Sequence, residues 1–322
     1  MKLDVSKIVA SAKGRYKEKG LQRDLGLGSE LCLPDKDEAF IISPELSWWE
    51  SLTGIRGCPF GRMVQIAGKP DSGKSTTAMM FMKAAQEQGV LVILWDAEKK
   101  FGHRRYRTMG GNPDLIPTSK SKLIQEGTKQ VSWFIQAAKE QDPNCRILVV
   151  WDSIGGTLNS TEDDFGDGMD TKEKAKLKKA NGDFSKQPGV MAKEVGISLR
   201  RFNSYMERYR DTKTGDDTIA ILAVNQVYAN IGSVGFKEKG GSTPEYLSSL
   251  ILQLARKADL THEVKKQKFK YGITTRAKVR KNHLFDGKEC IAELDLAVTA
   301  TGICLFTELD PKKAFMVEEE GK

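Results

Sequence analysis

No apolar run in the 322-residue sequence approaches the ~18–20 residues a membrane-crossing helix needs. The opening Met1-Lys2-Leu3-Asp4 lacks the long apolar stretch of a secretory signal. Cysteine is sparse: Cys32, Cys58, Cys145, Cys290 and Cys304 are scattered, odd in number and never spaced C-x-x-C. That usage gives no disulfide framework and no zinc site, and it leads to the expectation of reduced thiols in a cytoplasmic protein. Internal repeats are also missing. What remains is a chain with 39% hydrophobic and 29% charged residues, the balance of a soluble globular protein of one large or two ordinary domains. The net charge of +8 is compatible with a polyanionic partner, and the useful question is where the charge sits.

The most informative stretch is Gly68-Lys69-Pro70-Asp71-Ser72-Gly73-Lys74-Ser75, which fits G-x-x-x-x-G-K-[ST]. Met63 to Ala67 reads as a buried strand before it. Ser75 to Gln88 reads as a helix after it, with Ala78, Phe81, Met82 and Ala85 on one face. A glycine-rich turn between strand end and helix start can aim several backbone N–H groups at one anion, and the helix N-terminus adds partial positive charge. Lys74 is placed to reach the β- and γ-phosphates and Ser75 to ligate Mg²⁺. Gly68, Asp71, Ser72, Gly73 and Thr76 complete the expected ATP contacts.

Two further apolar runs end in acids. Val90 to Trp95 reads as a central parallel strand leading into Asp96-Ala97-Glu98, which makes Glu98 a candidate general base. Arg146 to Trp151 ends in Asp152, the Walker B form, so Asp152 is the expected partner of Ser75 at the metal. A basic stretch, Lys99 to Arg107, lies between these strands. Val131, Phe134, Ile135 and Ala138 mark a helix, as do Met191, Val195, Leu199, Phe202 and Met206.

The polar segment from Asn159 to Pro188 reads as a long loop. Ile219 to Val224 reads as another buried strand. It ends in Asn225-Gln226 and opens a glycine-rich loop from Val227 to Gly241. Leu250 to Leu254, Thr274 to Val279 and Ile291 to Val298 read as strands around a basic segment, Lys265 to Lys270. Residues 1–43 read as a helix, packed on its own domain or on a neighbouring subunit, and a linker, 44–306 as the core, and 307–322 as an acidic tail.

From about residue 40 to 305 the order of parts resembles the RecA-type strand-exchange recombinases. The resemblance rests on Phe60 to Ile66 entering the phosphate loop, Trp95-Asp96-Ala97-Glu98, Val149 to Ser153, Asn225-Gln226 with Gly240-Gly241, and Arg276-Ala277-Lys278-Val279-Arg280-Lys281-Asn282. It implies an α/β fold, a P-loop ATPase core with a mostly parallel central sheet flanked by helices and an N-terminal oligomerisation helix. The implied activity is DNA-dependent hydrolysis of ATP with Mg²⁺, on helical filaments that pair single-stranded DNA with homologous duplex. Single-strand-binding or mediator proteins are implied partners.

Residue by residue, the resemblance makes Glu98 the activator of water and Gln226 the sensor of the γ-phosphate. Lys281 and His283 would reach a neighbour's ATP. Tyr106, or Arg105 by spacing, would stack on adenine. DNA contacts would come from Lys193, Arg200 and Arg201, and from Tyr228, Asn230, Ile231, Gly232, Lys237 and Lys239. The first loop is longer than in bacterial RecA, His283 stands in place of a second lysine, and the C-terminal domain of bacterial RecA is expected to be missing. Such a compact form suits a phage genome. The competing readings are a RecA-fold hexameric helicase or other DNA-dependent motor, and a nucleotide-switched module with no DNA role.

Overall fold

The computed structural model describes Lys7, Ala10 and residues 37–158, 189–229, 236–264, 266–284 and 290–310. Apart from helical Lys7 and Ala10, the N-terminal helix lies outside the described residues. So do the first loop at 159–188, the second-loop segment 230–235 and the tail from 311.

The core begins earlier than its expected boundary at residue 44. Phe40–Ile41 (β1) pairs antiparallel with Cys58–Pro59 (β2), and both β1 residues are buried. Phe40 and Ile41 belong to the same buried cluster as Trp48, Trp49 and Leu52 of the helix Ser47–Thr53 (α1), so this stretch is core and not linker.

The main sheet has ten strands among the described residues. In spatial order they are Gly302–Leu305 (β12), Glu293–Thr299 (β11), Gln267–Asn282 (β10), Leu250–Val264 (β9), Met63–Gly68 (β3), Ile219–Ala229 (β7), Ile147–Asp152 (β6), Leu91–Asp96 (β4) and Thr118–Ser119 (β5). Phe236–Glu238 (β8) pairs beside β7. From β9 through β5 the neighbours run parallel, while β8, β10, β11 and β12 are antiparallel additions. The central strands read as unbroken apolar runs because helices cover both faces.

On one face lies Lys74–Glu87 (α2), whose Phe81 meets Trp49 of α1 edge-on with centroids 4.8 Å apart. On the other lie Ile124–Gln141 (α4) and Gly189–Arg208 (α5). Trp95 and Trp151, paired in register on β4 and β6, stack at 4.2 Å, and Phe202 of α5 sits edge-on to both. Helix α4 can come this close because residue 127 is glycine: a Cβ there would lie 2.1 Å from the Trp95 ring.

The expected strands at 250–254 and 274–279 are two ends of a much longer hairpin, β9 with β10. Its outer arm carries exposed charged and polar side chains, so no apolar alternation marked it as strand. The basic stretch 103–108 is a short helix, His103–Thr108 (α3).

One buried cation holds the far edge together. Lys139 at the end of α4 donates from Nζ to the carbonyls of Pro143 (3.0 Å) and Cys145 (2.6 Å) and to Thr218 Oγ1 (2.8 Å). Lys139→Met keeps the apolar stem but orphans buried acceptors, which costs about 1–3 kcal/mol. Urea unfolding should show that loss as a lower midpoint. An unchanged midpoint would mean the carbonyls find other donors.

Candidate nucleotide site

Parallel strands place their C-terminal ends along one edge. In register, Gly68 faces Gln226 across β3 and β7, and Asp96 faces Asp152 across β4 and β6. Sequence positions far apart are thereby brought to one crevice. Above it opens a cleft of about 1050 Å³, walled by 71–76 of the phosphate loop, by Arg104, Arg105 and Thr108 of α3, and by Tyr271, Val298 and Thr299 of the β10–β11 side.

The phosphate loop is shaped from several sides. Gly73 has φ +92° and lies against Val298, where a Cβ would be 2.8 Å from the Val298 side chain. Asp71 also takes a left-handed backbone, φ 55°. Ser72 Oγ donates to the Lys69 carbonyl at 2.9 Å, and Thr275 Oγ1 of β10 donates to the Ser72 carbonyl at 3.0 Å. The turn opens straight into α2, whose first backbone N–H groups have no intrahelical acceptor. This is a cradle for phosphate oxygens, and its chemistry fits a nucleoside triphosphate.

Lys74 is buried, and its Nζ donates to the Lys69 carbonyl at 2.6 Å. Burial lowers its pKa, while the charges of Asp152, Glu98 and Asp71 oppose that fall. Asp152 is pushed up to about 6, first by desolvation and then by the carboxylates of Glu98 and Asp96, against a hydrogen bond from Ser75 and the charge of Lys74. Among the described residues no group of three acids, histidines or cysteines forms a metal cage. One hydroxyl and one carboxylate fit Mg²⁺, a cation that keeps waters and takes phosphate oxygens as its other ligands.

Glu98, just past the end of β4, is held by three side-chain donors. Its Oε1 accepts from Ser153 Oγ at 2.5 Å and from Gln226 Nε2 at 2.7 Å, and its Oε2 accepts from Lys100 Nζ at 2.8 Å. Burial alone would raise its pKa, but these three donors together bring it below the usual carboxylate value. Asp96 sets the turn that presents it, accepting the backbone N–H groups of Lys100 and Phe101, each at 3.0 Å. Asp96, Ser153 and Lys100 were not singled out from sequence. An acid at a strand end is legible, but which neighbour binds it depends on the turn.

Gly156 packs directly under Glu98, where a Cβ would fall 2.4 Å from Glu98 Cγ. Gly156→Ala is therefore expected to push the carboxylate off its partners. Turnover should fall at least about tenfold, given the ~10²–10⁴-fold contribution of a placed general base, with nucleotide affinity kept. Steady-state kinetics beside equilibrium binding checks this, and wild-type turnover would refute the packing argument.

Tyr106 does not line the cleft. Its ring is buried, packed on Phe101 and Gly111, and its hydroxyl donates to Gln86 Oε1 at 3.0 Å. It faces the core and cannot stack on a base. Arg105, the alternative by spacing, lines the cleft and donates from Nη2 to the Thr299 carbonyl at 2.6 Å.

Strand β7 runs from this crevice toward the second loop. Lys239 Nζ donates to the Gly155 carbonyl at 2.9 Å, and Asn225 Nδ2 donates to the Lys239 carbonyl at 3.0 Å. Lys239 thus braces the base of the loop. Tyr228 and Lys237 are paired in the β7–β8 register. Asn230, Ile231 and Gly232 lie outside the described residues. Lys193, Arg200 and Arg201 are exposed on α5, with exposed Ile197 among them. The start of α5 seats against Gly240 and Gly241, which would meet Val195 and Ala192 if they carried a Cβ. The roots of both loops therefore meet here.

Lys281 and His283 sit elsewhere. Lys281 pairs with Ile251 of β9, which pairs with Gln65 low on β3, while Thr275 contacts the phosphate loop. Six residues of strand put Lys281 about 20 Å down β10 from Thr275. Its Nζ donates to the carbonyls of Glu245 (2.6 Å) and Tyr246 (3.2 Å) in Thr243–Leu247 (α6). His283 is exposed.

No protein-family model matches the chain. Among curated proteins, RecA of Nitratidesulfovibrio vulgaris is 24% identical over 270 residues, covering 81% of this chain and 66% of its own length. RecA of Nautilia profundicola is 25% identical over 284 residues, covering 86% and 71%. RecA of Nitrobacter winogradskyi is 23% identical over 288 residues, covering 88% and 69%. The chain is distantly similar to RecA proteins over most of its length. The α/β sheet with helices on both faces agrees with a RecA-type core. The chain spans about two thirds of the length of the RecA proteins it matches. No described helix is long and apolar enough to cross a membrane.

Proposed function

We propose that the chain is an ATP-dependent recombinase that assembles on single-stranded DNA as a helical filament and pairs it with homologous duplex. The observation that carries this reading is the path of β7. Gln226 holds Glu98 at the nucleotide crevice, and the same strand continues into the second loop beside the basic face of α5. A change at the γ-phosphate end then has a short mechanical route to the surface expected to hold DNA.

In the hydrolytic step Lys74 leaves the Lys69 carbonyl for the phosphate oxygens, and the backbone N–H groups at the start of α2 hold them in place. Glu98 takes the proton of the attacking water, kept in line by Ser153 and Gln226. Ser75 and Asp152 would hold Mg²⁺, which when bound neutralises charge between the β- and γ-phosphates. Gln226 moves with Glu98, and through Asn225 and Lys239 the root of the second loop moves with it.

The distance of Lys281 from its own phosphate loop supports a site completed by a neighbouring protomer. Electron microscopy of the full chain with single-stranded DNA and a non-hydrolysable ATP analogue tests the reading. A continuous helical filament is expected. Discrete rings would favour a hexameric motor, and particles without DNA would favour a nucleotide-switched module.

A further inference from the structure

Lys100 is a cation at Glu98 that no motif anticipates. The turn that carries it is tightly fixed. Asp96 accepts the N–H groups of Lys100 and Phe101, Ala97 N–H donates to the Asp152 carbonyl at 2.9 Å, and Lys99 takes φ 56°. From this turn the Lys100 side chain, 79% exposed, reaches back over Glu98, which is only 19% exposed. The two oxygens of Glu98 are thereby treated differently. Neutral donors fix Oε1, while a solvent-side ammonium holds Oε2. The same ammonium lies in the field of the phosphate site, attracted by Asp152 and Asp71 and repelling Lys74.

We propose that Lys100 is a cation supplied in cis to the γ-phosphate end of the cleft, bridging Glu98 and the transferred phosphoryl group. The inference rests on the ATPase reading above. In the step itself the water oxygen forms a bond to the γ-phosphorus and its proton passes to Glu98. The bond from the γ-phosphorus to the bridging oxygen breaks, and its electron pair leaves with ADP. Lys100 keeps its proton throughout and contributes charge at the oxygens where charge is redistributed. Because it comes from the same protomer, it acts without a neighbour. It therefore supports hydrolysis in the absence of DNA, whereas a cation in trans acts only after assembly.

The test uses the full-length protein with Lys100→Met and Lys100→Arg, checked for wild-type thermal midpoints. Lys100→Met is expected to lower DNA-independent kcat by about 10–100-fold. That is less than the ~10³–10⁵ of a buried arginine finger, because an exposed charge is screened. Equilibrium titration should show weaker binding of a non-hydrolysable ATP analogue and unchanged binding of ADP. Lys100→Arg should restore most of both. Wild-type DNA-independent turnover in Lys100→Met, or an equal loss of ADP and analogue affinity, would overturn the inference and leave the ATPase reading standing. A wild-type protein that neither binds nor hydrolyses ATP would overturn both.

Discussion

Replacing Glu98 by glutamine is expected to lower ATP turnover by about 10²–10⁴-fold, the usual contribution of a placed general base, with ATP affinity close to wild type. The amide keeps the size of the side chain and an oxygen that can accept from Ser153, so the turn at 96–101 stays in place. What it loses is the ability to take a proton. Lys74→Ala should behave differently, because Lys74 serves binding as well as chemistry. Its ammonium is buried beside Asp152, Glu98 and Asp71, so its removal leaves acids unbalanced where triphosphate must sit. Affinity and turnover should both fall. Steady-state hydrolysis beside equilibrium nucleotide binding separates the two variants. Glu98→Gln turnover within a few-fold of wild type would remove Glu98 from its role as base.

The second large effect concerns the division of the site between protomers. Lys281 stands at the end of β10 away from the phosphate loop that Thr275 contacts. Its side chain cannot span the intervening strand to its own triphosphate. If it supplies charge to a neighbour's ATP, as an arginine finger does, two dead variants should rescue each other. Lys74→Ala lacks a working phosphate loop and keeps Lys281. The Lys281→Ala/His283→Ala double variant has the reverse defect. Each alone should be nearly inactive with DNA. In a mixture, interfaces that join the intact phosphate loop of one to the intact Lys281 of the other should recover part of the hydrolysis. A mixture that forms filaments and stays as inactive as its components would contradict the shared site.

How much of this was legible in the sequence varied with the kind of residue. The phosphate loop and the strands at 91–96, 147–152 and 219–224 could be read because buried parallel strands are continuous apolar runs. Such runs carry their functional residues at the C-terminal end. Glu98 and Asp152 were placed in that way, Lys74 and Ser75 by the phosphate-loop spacing and Gln226 by the family resemblance, and the register brings the strand ends to one edge. The β9–β10 arm was not legible because it is solvated along most of its length. Its strands are held by backbone pairing rather than by an apolar face.

Tyr106 misled for a different reason. The family resemblance offered it as the residue that stacks on adenine, with Arg105 as the alternative by spacing. A one-residue shift on a short helix, however, turns the tyrosine into the core and Arg105 into the cleft. Lys100 and Ser153 were silent because nothing in their spacing signals that a turn folds them onto Glu98.

The central claim is that ATP chemistry drives homologous pairing. The most direct measurement incubates the full chain with circular single-stranded DNA, linear duplex and ATP, and follows joint molecules on a gel. Joint molecules are expected with a homologous duplex and not with a heterologous one, and Lys74→Ala should form none. Strand separation that is indifferent to homology, or no joint molecules while ATP is hydrolysed, would contradict the account.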